Sequence, residues 1–98
     1  MIVKIHKKDG RTIVAVCDSS LLGKKFEENN VQLDLGSDFY AGKEMDGQEA
    51  GDLLRNADIV NLVGEESVQL GMTEGVIDKE NIIHVKKIPH AQATILHE

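Results

Sequence analysis

The sequence predicts an α+β fold: a two-layer sandwich with a largely antiparallel mixed sheet and helices packed on one face. Three stretches carry that prediction. Ile2–Cys17 reads as a hairpin, Asp46–Ala57 has the chain's clearest helical period, and Asp58–Gly75 reads as strand, turn and helix. Strands and helices interleaved in mixed order favour helices stacked against one side of a mostly antiparallel sheet.

The hairpin comes first. Val3 and Ile5 alternate with Lys4 and His6, while Thr12–Cys17 is apolar on both faces, as a central strand requires. Asp9-Gly10 between them tolerates the positive φ of a two-residue turn. Asp18-Ser19-Ser20 then offers side-chain oxygens to the free amides of a helix start. Leu21, Leu22 and Phe26 mark a helix face, and Asn29-Asn30 supplies a stop. Val31, Leu33 and Leu35 alternate with Gln32 and Asp34 as a third strand. Gly36-Ser37-Asp38 is a turn, and Phe39–Gly42 begins a short edge strand.

Asp46-Gly47-Gln48-Glu49 has the form of a capping box. Ala50, Leu53, Leu54 and Ala57 follow at i, i+3, i+4 and i+7, one face of a helix. Ile59, Val60, Leu62 and Val63 form the next strand, Gly64 breaks it, and Glu65-Glu66 open a weakly patterned helix ending near Gly75. The last two strands are Asn81–Ile88 and Ala91–Leu96, interrupted at Pro89, which cannot donate to a sheet ladder.

At 98 residues the chain is expected to be a single domain spanning 1–98. Two Phe, one Tyr and no Trp leave the core to Ile, Val and Leu. Cys17 is the lone cysteine, so no internal disulfide forms, which fits a cytoplasmic location. No apolar run approaches the roughly 20 residues that span a bilayer, and no membrane partner is expected. Net charge is −6, unevenly spread. Residues 1–25 carry six basic side chains against two acidic, +4; residues 26–98 carry five against fifteen, −10. Lys4, Lys7, Lys8 and Arg11 thus make one basic end on an acidic body, suited to a local polyanion contact or simply solvated.

Few residues suggest chemistry. Cys17 ends a strand before a helix start, where a thiol is activated, with His90 as its base and Asp18 to orient it. The plainer reading is a buried core cysteine whose thiol Asp18 discourages from ionising. The four histidines show no i, i+4 pairing and there is no Cys-x-x-Cys, so neither a metal site nor a cofactor is expected. Gly64 resembles the turn of a phosphate cradle, but Glu65 and Glu66 would repel a phosphate there. Asn61, alone among apolar neighbours, needs a hydrogen-bond partner: either a loop it caps or a ligand it reads. Ile88-Pro89-His90-Ala91-Gln92 is a rigid corner with polar tips. Reading RNA bases usually takes exposed aromatics, and the basic hairpin has none; Phe39-Tyr40, in the acidic part of the chain, is the one candidate pair.

CDSSLLGKKFEE (Cys17–Glu28), Phe39-Tyr40-Ala41-Gly42, NLVGEESV (Asn61–Val68) and IPHAQ (Ile88–Gln92) occur in one order along nearly the whole chain. Together they resemble a small archaeal family catalogued as domain of unknown function 424. The resemblance implies a stand-alone α+β domain of this length and an expectation of RNA binding, and it carries over no catalytic residues. Asn29-Asn30 stands where the resemblance leads one to expect a glycine-containing helix end. The expected function is a non-catalytic binding module associated with RNA or a translation-associated protein. The alternative is a thiol-dependent site at Cys17. The candidate binding residues are Lys4, Lys7, Lys8, Arg11, Cys17, Asp18, Asn61, Gly64, Glu65, Pro89, His90 and Gln92. Edge strands near either terminus also allow pairing into a homodimer.

Overall fold

Turn chemistry fixes the first hairpin. Asp9 and Gly10 sit at φ 52° and 77°, closing strands β1 (Ile2–Lys8) and β2 (Arg11–Cys17) with Lys8 opposite Arg11. This computed structural model, which describes residues 1–97, continues with β3 (Lys25–Glu28), β4 (Val31–Asp34), β5 (Lys43–Glu44) and helix α1 (Gly47–Arg55). Then come β6 (Ile59–Val63), helix α2 (Glu65–Thr73), β7 (Ile82–Val85) and β8 (Ile88–Thr94).

Six strands form one sheet in the order β5-β1-β2-β6-β8-β7. Every neighbouring pair is antiparallel except β2 and β6, which run parallel at the centre. The expected α+β class and largely antiparallel mixed sheet are therefore present. Both helices cover one face. Val14, Val16, Val60, Leu62 and Ala91 meet Ala50, Leu54, Ala57, Val68 and Ile77 there. At the α1 start the Asp46 carboxylate accepts the Glu49 N–H at 2.8 Å, as the capping pattern requires. Gly71 of α2 lies against Leu62 so closely that a Cβ would collide with it; the glycine that weakens this helix is what lets it approach the sheet.

Across the sheet from the helices lies a second, smaller layer. Strands β3 and β4 pair only with each other, and Leu33, Leu35 and Tyr40 pack on Ala15, Cys17, Val63 and Val85. This layer is where the sequence reading needs its main correction. A helix was expected from Asp18 to Asn29-Asn30. Instead a single 3-10 turn (Ser19–Leu21) leads into β3. The stretch from Lys25 to Asp34 has strand periodicity: Phe26 opposes Leu33 on one face, while Lys25, Glu27, Gln32 and Asp34 take the other. Asn29 and Asn30 do adopt the left-handed conformation, at φ 52° and 68°, but as a two-residue hairpin turn. The Asp18 carboxylate, read as this helix's cap, is used elsewhere.

The edge strand begins at Lys43, after Phe39–Gly42 has turned, not at Phe39. The final hairpin turns at Lys86-Lys87 (φ 51° and 66°), so Pro89 lies inside β8. Its carbonyl accepts the Gly64 N–H at 2.9 Å, while the Gly64 carbonyl is already bonded by Val68 N–H at 2.9 Å. The N–H that proline lacks thus has no acceptor waiting for it. Among the described residues, no helix is long and apolar enough to cross a membrane.

Candidate functional site

Strand alternation decides which polar residues face away from the helices. In β2 and β6, Val14, Val16, Val60 and Leu62 point into the helix-side core, so Ala15, Cys17, Asn61 and Val63 point the other way. Register extends these positions into rows across the sheet. Ile2, Cys17, Val63, His90 and Ile83 form one row. Lys4, Ala15, Asn61 and Gln92 form the next, and His6, Ile13, Ile59 and Thr94 the one after. The small second layer covers the first row and Ala15 of the second, while Gln92 and the third row stay more open.

The covered end holds half of the residues singled out from sequence: Cys17 is buried, Asp18, Gly64, Pro89 and His90 are hydrogen-bonded within the protein, and Glu65 is exposed. Asp18 accepts hydrogen bonds from Glu66 N–H at 3.1 Å, from Ser67 N–H at 2.8 Å and from the Ser67 hydroxyl at 2.8 Å. It is the N-terminal cap of α2, supplied from 48 residues away. Gly64, at φ 107°, sits beneath that carboxylate, and a Cβ there would collide with it. Glu65 occupies the first turn of α2, where negative charge suits the helix dipole. The helix start is filled by the protein's own carboxylates, which leaves no phosphate cradle.

The thiol alternative loses its geometry at the same end. Cys17 is fully buried, and burial, then the nearby Asp18 charge, push its thiol up to about 11. Val63 stands between Cys17 and His90 in the row, so two strand spacings, about 10 Å, separate their backbones. His90 Nδ1 donates instead to the Leu62 carbonyl at 3.0 Å. Tyr40, packed in the same cluster, is likewise pushed up to about 12 by burial and then by Cys17. Among the described residues no three His, Cys, Asp or Glu side chains gather as a metal site.

The open end differs. Asn61 lies at the sheet centre with 9% of its surface exposed. No protein group hydrogen-bonds its amide among the described residues, although its polar atoms are not sealed from solvent. Solvent therefore meets the amide at its exposed edge, and no hydrogen bond from the protein fixes it. Gln92, exposed, is its direct neighbour on β8. On the other side Ala15 is fully buried under the second layer, and Lys4 lies beyond it on the next strand along the row.

Charge borders this face. Lys4, Lys8 and Arg11 share the open face by strand parity, and Lys7 falls on the opposite face. A groove of about 400 Å³ runs between Lys8, Asp9, Arg11, Ile13 and Ile59. A second, of about 310 Å³, shares Arg11 and Ile59 and continues to Asp58, Thr94 and His97. Asp58 is partly spent there, accepting the Thr12 N–H at 2.8 Å.

One feature escaped the sequence. The His6 ring stacks on Phe39 with centroids 4.6 Å apart and planes 13° apart, and His6 Nε2 donates to the Phe39 carbonyl at 2.9 Å. Tyr40 meets Phe39 edge-on at 5.0 Å. The aromatic pair expected to lie apart from the basic hairpin is thus docked against its first strand. Thirty-three residues separate His6 from Phe39, and no local pattern signals the contact.

Compared with known proteins, the chain matches over residues 6–96 the model of a family described as "Protein of unknown function (DUF424)". The chain belongs to this family. A solved structure, the crystal structure of an uncharacterized conserved protein from Methanopyrus kandleri, is similar with a TM-score of 0.84 and 25% identity, covering 99% of this chain and 92% of that one. No curated protein matches the chain. The family segments CDSS and NLVGEESV meet at the covered end, where Asp18 caps the helix after Gly64. IPHAQ runs from that end to the open one, carrying Gln92 to its place beside Asn61.

Proposed function

We propose that this family member is a non-catalytic binding module that takes single-stranded RNA on the open half of its sheet, in the cytoplasm. The observation that carries the reading is the cationic strip of Lys4, Lys8 and Arg11 on one sheet face, beside the groove between Lys8, Arg11 and Ile59, with the Asn61 and Gln92 amides and the stacked His6 ring on the same face. Single-stranded RNA matches all three chemistries: phosphates for the cations, base edges for the amides and a π-face for the His6–Phe39 pair. The acidic remainder of the chain, −10 over residues 26–98, restricts a polyanion to this one surface. Catalysis gains no comparable support, since the thiol is held protonated and its supposed partners are engaged elsewhere.

Fluorescence anisotropy of labelled ten-nucleotide RNAs tests the reading. Binding is expected to weaken roughly tenfold between 50 and 150 mM salt, as release of counterions from about three phosphates requires. The double variant Lys8→Glu, Arg11→Glu should abolish it. No detectable binding at 50 mM salt, together with a pull-down of a defined protein partner that survives RNase, would replace RNA by a translation-associated protein.

A further inference from the structure

We infer that the outer edge of β1 takes an extended acidic peptide as a further strand of the sheet. This site is a backbone edge, distinct from the RNA-binding face that uses the Lys4 and Lys8 side chains. Strand β5 pairs with β1 only at Ile2 and Val3, so over residues 4–8 β1 is the sheet's last strand. Met45 N–H donates to the Met1 carbonyl at 2.9 Å across this edge, and the direction of backbone groups alternates along a strand. Ile5 and Lys7 therefore turn their N–H and C=O groups outward, and among the described residues neither makes a backbone hydrogen bond there. That length of edge, about 17 Å, seats one strand. Gly42 packs so closely on the Val3 carbonyl that a Cβ would collide with it, which pins β5 at its end of the edge. A groove of about 340 Å³ opens alongside, between Val3, Ile5, Ala41 and Met45, and Ile5 is 40% exposed.

Charge selects the occupant. Strand β1 carries Lys4, Lys7 and Lys8 and no carboxylate, and none of the three forms an ion pair among the described residues. Glu44 of β5 is taken by the N-terminal ammonium and Ser19. A second copy of the chain fits badly. Two such edges meeting antiparallel set Lys4 against Lys8, and opposed like charges destabilise the pair. Lysines that guard an edge against self-pairing also attract a strand of opposite charge. Lys4, His6 and Lys8 lie on the open face, while Ile5 and Lys7 share the helix side with Val3. The matching peptide alternates acidic residues, set beside Lys4 and Lys8, with apolar ones, of which the one beside Ile5 fills the groove.

The test is anisotropy and amide hydrogen exchange of the full chain with a labelled ten-residue peptide of alternating aspartate and valine. Its controls are an isomer with the alternation scrambled and an alternating lysine–valine peptide. The alternating acidic peptide should bind about tenfold tighter than its scrambled isomer, and the lysine–valine peptide should not bind. Saturating peptide should slow exchange of the Ile5 and Lys7 amides about tenfold or more. Lys7→Ala should change affinity within about twofold, whereas Lys7→Pro, which removes the outward N–H and no bond to β2, should weaken it about tenfold. Equal binding by the two variants, or of the two acidic isomers, would reduce the contact to plain charge attraction and overturns the inference. No binding overturns it as well. So does a dimer of the free chain that Lys7→Pro dissolves, since a second copy then holds the edge. If circular dichroism shows Lys7→Pro unfolded, exchange decides, and unslowed Ile5 and Lys7 amides refute the inference.

Discussion

The two ends of one sheet face, built from the same strands, treat their polar residues in opposite ways. At the covered end Asp18 accepts three hydrogen bonds, His90 donates to a backbone carbonyl, and the Cys17 and Tyr40 protons are held by burial. One row away, Asn61 has no protein hydrogen bond and keeps contact with solvent, and the cations lie further along the same face. The difference teaches where unusual residues of this chain serve the fold and where they are left facing solvent. Polar groups under a packed layer must be satisfied internally, because water cannot reach them. A group half a strand away can remain unpaired only because solvent, or something bound, meets it.

The comparison breaks most decisively at Gly64. Gly64→Ala combines a positive φ of 107° with a collision against Asp18, and urea unfolding should show a loss of about 3 kcal/mol or more. A loss under about 1 kcal/mol would mean that the Asp18 cap is loose. Next, Asp18→Ala should cost about 2 kcal/mol, since it strips the cap from α2 and leaves the buried Ser67 hydroxyl without its acceptor. Asp18→Asn should cost about half as much, because its amide oxygen can still accept.

Alkaline titration gives a smaller effect. Folding raises the Cys17 thiol from an ordinary value of 9.0 to about 11. Between those pH values the unfolded chain has already released the proton and the folded one has not, so stability falls as pH rises and flattens above about 11. Cys17→Ala should remove up to about 1.4 kcal/mol per pH unit from that slope, read by chemical denaturation from pH 8.5 to 11. An unchanged slope would mean that the thiol is not sealed. The smallest effect belongs to the open end. Asn61→Ala should change stability by less than about 0.5 kcal/mol, since no protein hydrogen bond is lost. A cost above about 1.5 kcal/mol would show a structural bond there and erase the contrast.

Elements whose cues are local were legible. Asp9-Gly10 dictated a hairpin, Asp46 with Glu49 capped α1, and Gly64 marked the step from β6 into α2. The expected helix after Asp18 failed for an instructive reason: its capping signal was genuine but acted on a helix 48 residues downstream. Asn29-Asn30 likewise had the right backbone conformation in the wrong element, because helix ends and hairpin turns both use left-handed residues. Of the site, Lys4, Asn61 and Gln92 were recognisable as unusual, but nothing local places them in one row, and nothing pairs His6 with Phe39.

By itself, then, this chain settled its turns and the hairpin, α1 and β6–α2 segments beside them, since turn conformations and side-chain periodicity act within a few residues. Only the folded chain decided which strands lie side by side, whose helix Asp18 caps, and which half of the sheet the β3–β4 layer leaves bare. Those outcomes depend on contacts between segments tens of residues apart, and such contacts are selected by packing of the whole molecule.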